Sequence, residues 1–198
     1  MKVLRWLILL IPIFNSSCSN KDYYSLPLYS DEHRMQAVVE IPAGSSHIID
    51  YSPESNRFNL FSDREEPSKD FLALPFNYGF IPSTINSMNA TVTGHPLDVF
   101  ILSESINTGN VVEILPLGLV TVRNAEKSVN RIIAVPYNKS QRTIDAENFQ
   151  DLQTKYPGVV SVIEEWILNT IPDRGASSVS WQDEVLASKM IESLALNQ

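Results

Sequence analysis

Pro75-Phe76-Asn77-Tyr78-Gly79-Phe80-Ile81-Pro82 is the stretch on which the fold turns. Its prolines punctuate a strand, and Gly79 permits a tight backbone path. Outward from it the chain keeps a strand-like pattern. Upstream, Gln36–Ile41 is largely apolar and ends at the turn signal Pro42-Ala43-Gly44. His47–Tyr51 and Arg57–Phe61 are short alternating runs. Downstream, Asp98–Leu102, Val111–Val122 and Arg131–Val135 are rich in Val, Ile and Leu. The period then changes. Ala146–Tyr156 and Val159–Asn169 fit helices, with Val160, Ile163, Ile167 and Leu168 at helical spacing. A last helix is expected after Ser180 as N-cap, with Leu186, Met190 and Leu194 on its packed face. A single-domain α+β fold follows: an antiparallel β-barrel flanked by C-terminal helices.

Composition agrees with one folded domain. The chain has 198 residues, 43% hydrophobic and 19% charged, which excludes disorder as its general state. Its net charge of -8 argues against nucleic acid as a partner. Lys2 and Arg5 precede the apolar run Trp6–Phe14, which is too short to span a bilayer. Asn15-Ser16-Ser17 then leads to the only cysteine, Cys18. This arrangement resembles a bacterial lipoprotein signal, with Asn15 standing where an aliphatic residue is usual. The alternative is an ordinary cleaved signal beside an incidental cysteine. On the first reading residues 1–17 are a signal peptide, and residues 18–34 a polar tether attached to lipid at Cys18. Residues 35–198 are the domain, exported and anchored to the cell envelope. One cysteine allows no disulfide within the chain, so the core must supply stability.

Several segments in order resemble the soluble, Mg-dependent, single-domain inorganic pyrophosphatases. Val39-Glu40-Ile41-Pro42-Ala43 matches the family's first strand, and Asn77–Pro82 its most recognisable barrel segment. Pro96-Leu97-Asp98-Val99 matches the core of its metal loop, and Pro116-Leu117-Gly118 and Ile133-Ala134-Val135-Pro136 match later strands. Trp181, Ala187 and Ile191 resemble its C-terminal helix. The resemblance implies an OB-like barrel, hydrolysis of pyrophosphate to two phosphates, Mg²⁺ as cofactor, and a homo-oligomer.

The same resemblance marks a loss. The family carries Asp-Gly-Asp-Pro-x-Asp where this chain reads Thr93-Gly94-His95-Pro96-Leu97-Asp98, so only Asp98 is retained there. The two aspartates of a later loop fall on Asn124 and Val129. Of two strand glutamates, one is Glu40 and the other falls near Ser52. Among the phosphate-binding residues, Arg64 and Tyr78 are kept, and Arg131 replaces a lysine. Another lysine falls on Ile49 or Asp50, a tyrosine on Leu74, and a Tyr-Lys pair on Thr170-Ile171. Lys127 adds a cation in the later loop. Clustered Mg²⁺ neutralises phosphoryl charge and acidifies water, and holding it takes concentrated carboxylate.

The candidate set is therefore Asp98 and His95 for catalysis, and Asp98 and Glu40 for metal. Arg64, Tyr78 and Arg131 are the candidates for phosphate. His95 has the ordinary pKa of a general base, and with Asp98 it supplies two ligands for Zn²⁺. Each residue also has a plain structural reading. These are a solvated loop histidine, a hydrogen-bonding residue at a strand start for Asp98, an exposed strand residue for Glu40, and surface ion pairs for the arginines. Three functions stay open: weakened or lost hydrolysis, a non-catalytic binding module for a phosphate compound, and an envelope scaffold that pairs with an active relative.

Overall fold

The computed structural model describes residues 22–60, 72–85, 94–123, 128–170 and 178–196. Cys18, Arg64, Thr93, Asn124, Lys127 and Ile171 lie outside the described residues. The elements in chain order are β1 (Gln36–Ile41), β2 (Ile49–Ser52), β3 (Arg57–Leu60), β4 (Asn77–Ile81), β5 (Leu97–Ile101), β6 (Val111–Arg123) and β7 (Ser128–Pro136). They are followed by α1 (Phe149–Lys155), α2 (Pro157–Thr170), β8 (Ser178–Asp183) and α3 (Glu184–Leu194).

Five strands close a ring in the order β1-β4-β5-β7-β6, with β6 pairing back onto β1. β8 adds to the far edge of β6, and β2 and β3 form a separate hairpin. The structure is the expected OB-like barrel, antiparallel throughout except that β5 and β7 run parallel. The reason is geometric: an odd ring cannot alternate direction all the way round, so one neighbouring pair must be parallel. That pair sets Asp98 opposite Arg131.

Side chains alternate across each strand. On β5, Leu97, Val99 and Ile101 join a core with Ile132, Ala134 and the α3 residues Ala187 and Ile191. The intervening Phe100 joins a second core with Phe76, Ile133, and Ile163 and Ile167 of α2. Asp98, Arg131 and Tyr78 share the parity of Phe100, Ile133 and Phe76, so the alternation that sorts the cores also gathers the polar residues.

Two residues of β4 explain why that segment is so restrictive. Gly79 pairs with Val39, and a Cβ on Gly79 would lie 1.9 Å from the carbonyl oxygen of Val38. Asn77 is fully buried and ties three loops together. Its amide nitrogen donates to Ser103 Oγ and Glu104 O, and its oxygen accepts from the N–H groups of Ala43 and Ile106.

The helical end differs from expectation in detail. Ser178–Asp183 is a strand, and Asp183, not Ser180, caps α3 by accepting from Leu186 N–H. The packed face of α3 is Ala187, Met190, Ile191 and Leu194, whereas Leu186 is exposed. Likewise Ile163 and Ile167 are buried on α2 while Leu168 faces out. Residues 22–34, read from the sequence as tether, lie against the barrel. Leu28 is buried, Ser83 N–H donates to Tyr24 O, and Ser83 Oγ donates to Leu26 O.

Gly79→Ala is expected to cost about 3 kcal/mol, the upper end for overpacking a tight site, read as a lowered urea midpoint. Gly158→Ala, where a Cβ meets nothing within 4 Å, is expected instead to stabilise by up to about 1 kcal/mol. Equal effects at the two positions would contradict the packing described for β4.

Candidate functional site

Glu40 comes from β1, Asp50 from β2, Tyr78 from β4, Asp98 from β5 and Arg131 from β7, while His95 lies on the loop just before β5. Glu40 is 1% exposed, so it is not the solvent-facing strand residue of the plain reading. It accepts a hydrogen bond from Tyr51 N–H at 2.9 Å, its only side-chain hydrogen bond among the described residues. Asp98 is 4% and Arg131 7% exposed, so theirs is not a surface ion pair.

Asp98 stands between two cations. Its Oδ1 is 3.7 Å from His95 Nδ1, and its Oδ2 is 3.7 Å from Arg131 Nε. His95 Nδ1 lies 2.8 Å from the Pro96 carbonyl oxygen, and His95 Nε2 lies 3.9 Å from Asp50 Oδ1. The side chain of His95 is only a quarter exposed, so it is not a solvated loop histidine. Glu40, Asp50 and His95 can each offer one ligand atom within 4.8 Å of the others.

An aromatic wall closes one side. Tyr24 packs edge-on against Tyr51, Phe80 and His95, with ring centroids 5.1, 4.9 and 5.9 Å apart. Burial first, then the charges of Glu40, Asp50 and Asp98, push the Tyr24 phenol far above its ordinary pKa. Tyr78 is raised likewise, by burial and then by Asp98. Both phenols therefore stay protonated.

The two remaining groups titrate near neutrality. Burial raises Glu40 to about 8, with Asp50 and Asp98 adding to the rise and Tyr51 N–H and His95 opposing it. For His95, burial pulls the pKa down, but Asp50, Asp98, the Pro96 carbonyl and Glu40 together carry it up to about 9. At pH 7 Glu40 is thus mainly neutral and His95 charged. Asp50 and Asp98 are then balanced by His95 and Arg131.

The structure gathers Glu40, Tyr78, His95, Asp98 and Arg131 from the sequence-derived set; Arg64 lies outside the described residues. Asp50, Tyr51 and Tyr24 belong to the same cluster, although the sequence did not single them out. Asp50 is one of the two positions, with Ile49, on which the family resemblance places a lysine, and Tyr24 sits ahead of the barrel in the segment read as tether. Only the pairing of β2 with β3 and the Tyr51–Glu40 bond reveal them. Val129, the position at which the family resemblance leads one to expect an aspartate, is buried two residues before Arg131 on β7.

Mg²⁺ takes six oxygen ligands in near-octahedral geometry. The donors here are two carboxylates and an imidazole, and Asp98 is already flanked by protein cations. Among the described residues, these donors alone do not fit a multi-Mg²⁺ centre.

Residues 37–197 match the sequence model of the inorganic pyrophosphatases. An inorganic pyrophosphatase of Neisseria meningitidis serogroup B is 31% identical over 163 residues, 80% of this chain and 85% of that protein. That of Saccharolobus solfataricus is 37% identical over 103 residues, 52% of this chain and 55% of that protein. In that second match the chain spans little more than half of its relative's length. The crystal structure of an inorganic pyrophosphatase from Neisseria gonorrhoeae superposes with a TM-score of 0.68 at 26% identity, covering 88% of this chain and 95% of that one.

Glu40 and His95 both hold protons more tightly in the folded chain than in the unfolded one. The folded state therefore binds more protons, and stability falls as pH rises. The contribution of Glu40 is lost between 4.5 and about 8, and that of His95 between 6.5 and about 9. The urea midpoint is expected to decline from pH 6 to pH ~9.5, and less steeply in His95→Asn, which keeps Glu40 but not His95 of these two groups. A midpoint that is flat or rising over this range would contradict the cluster's proton balance.

Proposed function

Because this chain belongs to the inorganic pyrophosphatase family, we propose that it is a divergent member in which Mg²⁺-dependent hydrolysis of pyrophosphate is lost or strongly weakened. The observation that carries this reading is the environment of Asp98. Each of its oxygens faces a fixed protein cation at 3.7 Å, His95 on one side and Arg131 on the other.

In the family reaction, bound Mg²⁺ neutralises phosphoryl charge and generates the nucleophile. Here the retained carboxylate spends its charge on the chain's own residues. An incoming Mg²⁺ must compete with both cations and shed tightly held water, for the return of one or two oxygens. The substitutions agree with one another in charge. Aspartates give way to Thr93, His95, Asn124 and Val129, so removing metal leaves no crowd of repelling carboxylates. Arg131 and Tyr78 remain beside Asp98, and an arginine can grip phosphate with two parallel bonds. Arg131 is nearly buried, however, and its charge is committed to Asp98. This supports loss of turnover more directly than it supports a ready phosphate clamp.

The test is phosphate release from pyrophosphate in Mg²⁺, with an active relative measured alongside. Turnover is expected to be lower by roughly a hundredfold or more, the scale on which lost transition-state electrostatics acts. Turnover comparable to the relative's, abolished by Asp98→Ala, would overturn the proposal.

We also propose that the mature chain is an exported lipoprotein. Support comes from the basic Lys2 and Arg5, the short apolar run and the position of the sole cysteine. Cells fed radiolabelled palmitate are expected to label the wild type and not Cys18→Ser. Export without label on the wild type would leave an ordinary signal peptide.

A further inference from the structure

His95 is oriented as a metal-binding histidine usually is. A carbonyl oxygen only accepts, so the 2.8 Å contact with Pro96 O assigns the hydrogen to Nδ1. A ligating histidine commonly donates its other ring N–H to a backbone carbonyl, which fixes the ring and its tautomer. Nε2 is then directed at Asp50 Oδ1, 3.9 Å away. The separation is too wide for a hydrogen bond. In the metal-free protein the charged His95 faces Asp50 across this gap. A divalent ion entering here would displace the proton that His95 carries on Nε2 and bind the lone pair so exposed.

Glu40 is the second, independent observation. It is almost wholly buried, receives one hydrogen bond among the described residues, and has acceptor capacity left over. Its ligand oxygen lies within 4.8 Å of those of Asp50 and His95. Ligands of a tetrahedral zinc ion at ~2.0–2.2 Å stand about 3.3–3.5 Å apart. Contraction by up to about 1.5 Å is therefore needed, and exposed Asp50 can supply its own share by rotation.

We propose that Glu40, Asp50 and His95 form a site for a single divalent ion of the zinc class, in preference to Mg²⁺. One imidazole and two carboxylates suit Zn²⁺, which accepts N and O donors in four-coordinate sites and can keep its fourth position open. Mg²⁺ gains little from an imidazole and needs more oxygens than the site offers. The three ligands are exchanges as well as survivals. Glu40 is kept from the family pattern, His95 stands where that pattern has an aspartate, and Asp50 enters from β2. The site thus rests on the reading that the family's Mg²⁺ centre has been withdrawn, and it names what the pocket takes instead.

The experiment is calorimetric titration of the purified full-length protein with Zn²⁺ and separately with Mg²⁺, together with the visible absorption spectrum after loading with Co²⁺. One Zn²⁺ per chain is expected. Asp50→Asn and His95→Asn should each weaken binding by roughly tenfold or more, as loss of metal-site residues does, and alter the Co²⁺ spectrum. His47→Ala, on an exposed loop residue, should change neither. Asp50 is exposed, so its variant keeps the fold and decides the matter even if His95→Asn does not fold. No saturable Zn²⁺ binding by the wild type, Zn²⁺ affinity unchanged in both variants, or Mg²⁺ bound as tightly as Zn²⁺ would each overturn the inference. Turnover in Mg²⁺ at a relative's rate would instead sink the preceding reading of lost hydrolysis, so the two failures are distinguishable.

Discussion

Asp98 is a carboxylate built into the wall of a barrel, and its burial constrains everything around it. An ionised group taken out of water costs several kcal/mol unless it is paired. The parallel contact between β5 and β7 places Arg131 directly across from it. The turn before β5 brings His95 to its other oxygen. Removing one partner from a buried pair typically costs about 3–5 kcal/mol, because the other charge is left uncompensated. Here the compensation comes from the chain itself, so the fold does not depend on metal to satisfy its own interior.

The surrounding structure strengthens that arrangement. Tyr24, Tyr51, Phe58 and Phe80 form a connected set of edge-on and tilted rings over the cluster. They displace water and lower the local dielectric, which strengthens charge–charge interaction. Tyr51 serves twice, since its backbone N–H donates to Glu40 and its ring packs in this wall. Its hydroxyl is close to Asn56 and donates to Asp22. The segment from residue 22 is thereby tied to the same pocket it covers. A protein with a net charge of -8 thus carries a locally balanced cluster.

Much of the fold was legible because strands and helices impose different periods on the sequence. Gln36–Ile41 and Val111–Arg123 declare themselves by apolar content, and Gly79 by a path that no other residue fits. β8 was missed because Val179 and Trp181 alone alternate among polar residues, and Ser180 mimics a helix cap. Asp183 wins that role because β6 continues to pair as far as that residue. Within the site, Glu40, Tyr78 and Asp98 were visible through a family pattern. Asp50 was not, because its importance comes from a hairpin folded across β1 and leaves no trace in spacing. Tyr24 was misread for a related reason: polar composition suggested a tether, while two adjacent aromatic rings find a surface on which to pack.

The central claim we propose is that, in the metal-free protein, the cations His95 and Arg131 hold the retained carboxylate Asp98. NMR titration of the His95 imidazole in metal-free protein tests it most directly. Asp50 and Asp98 should raise its apparent pKa well above the ordinary value of 6.5. An imidazole that titrates at or below 6.5 would mean that burial prevails and that His95 is neutral beside Asp98, which would contradict the account.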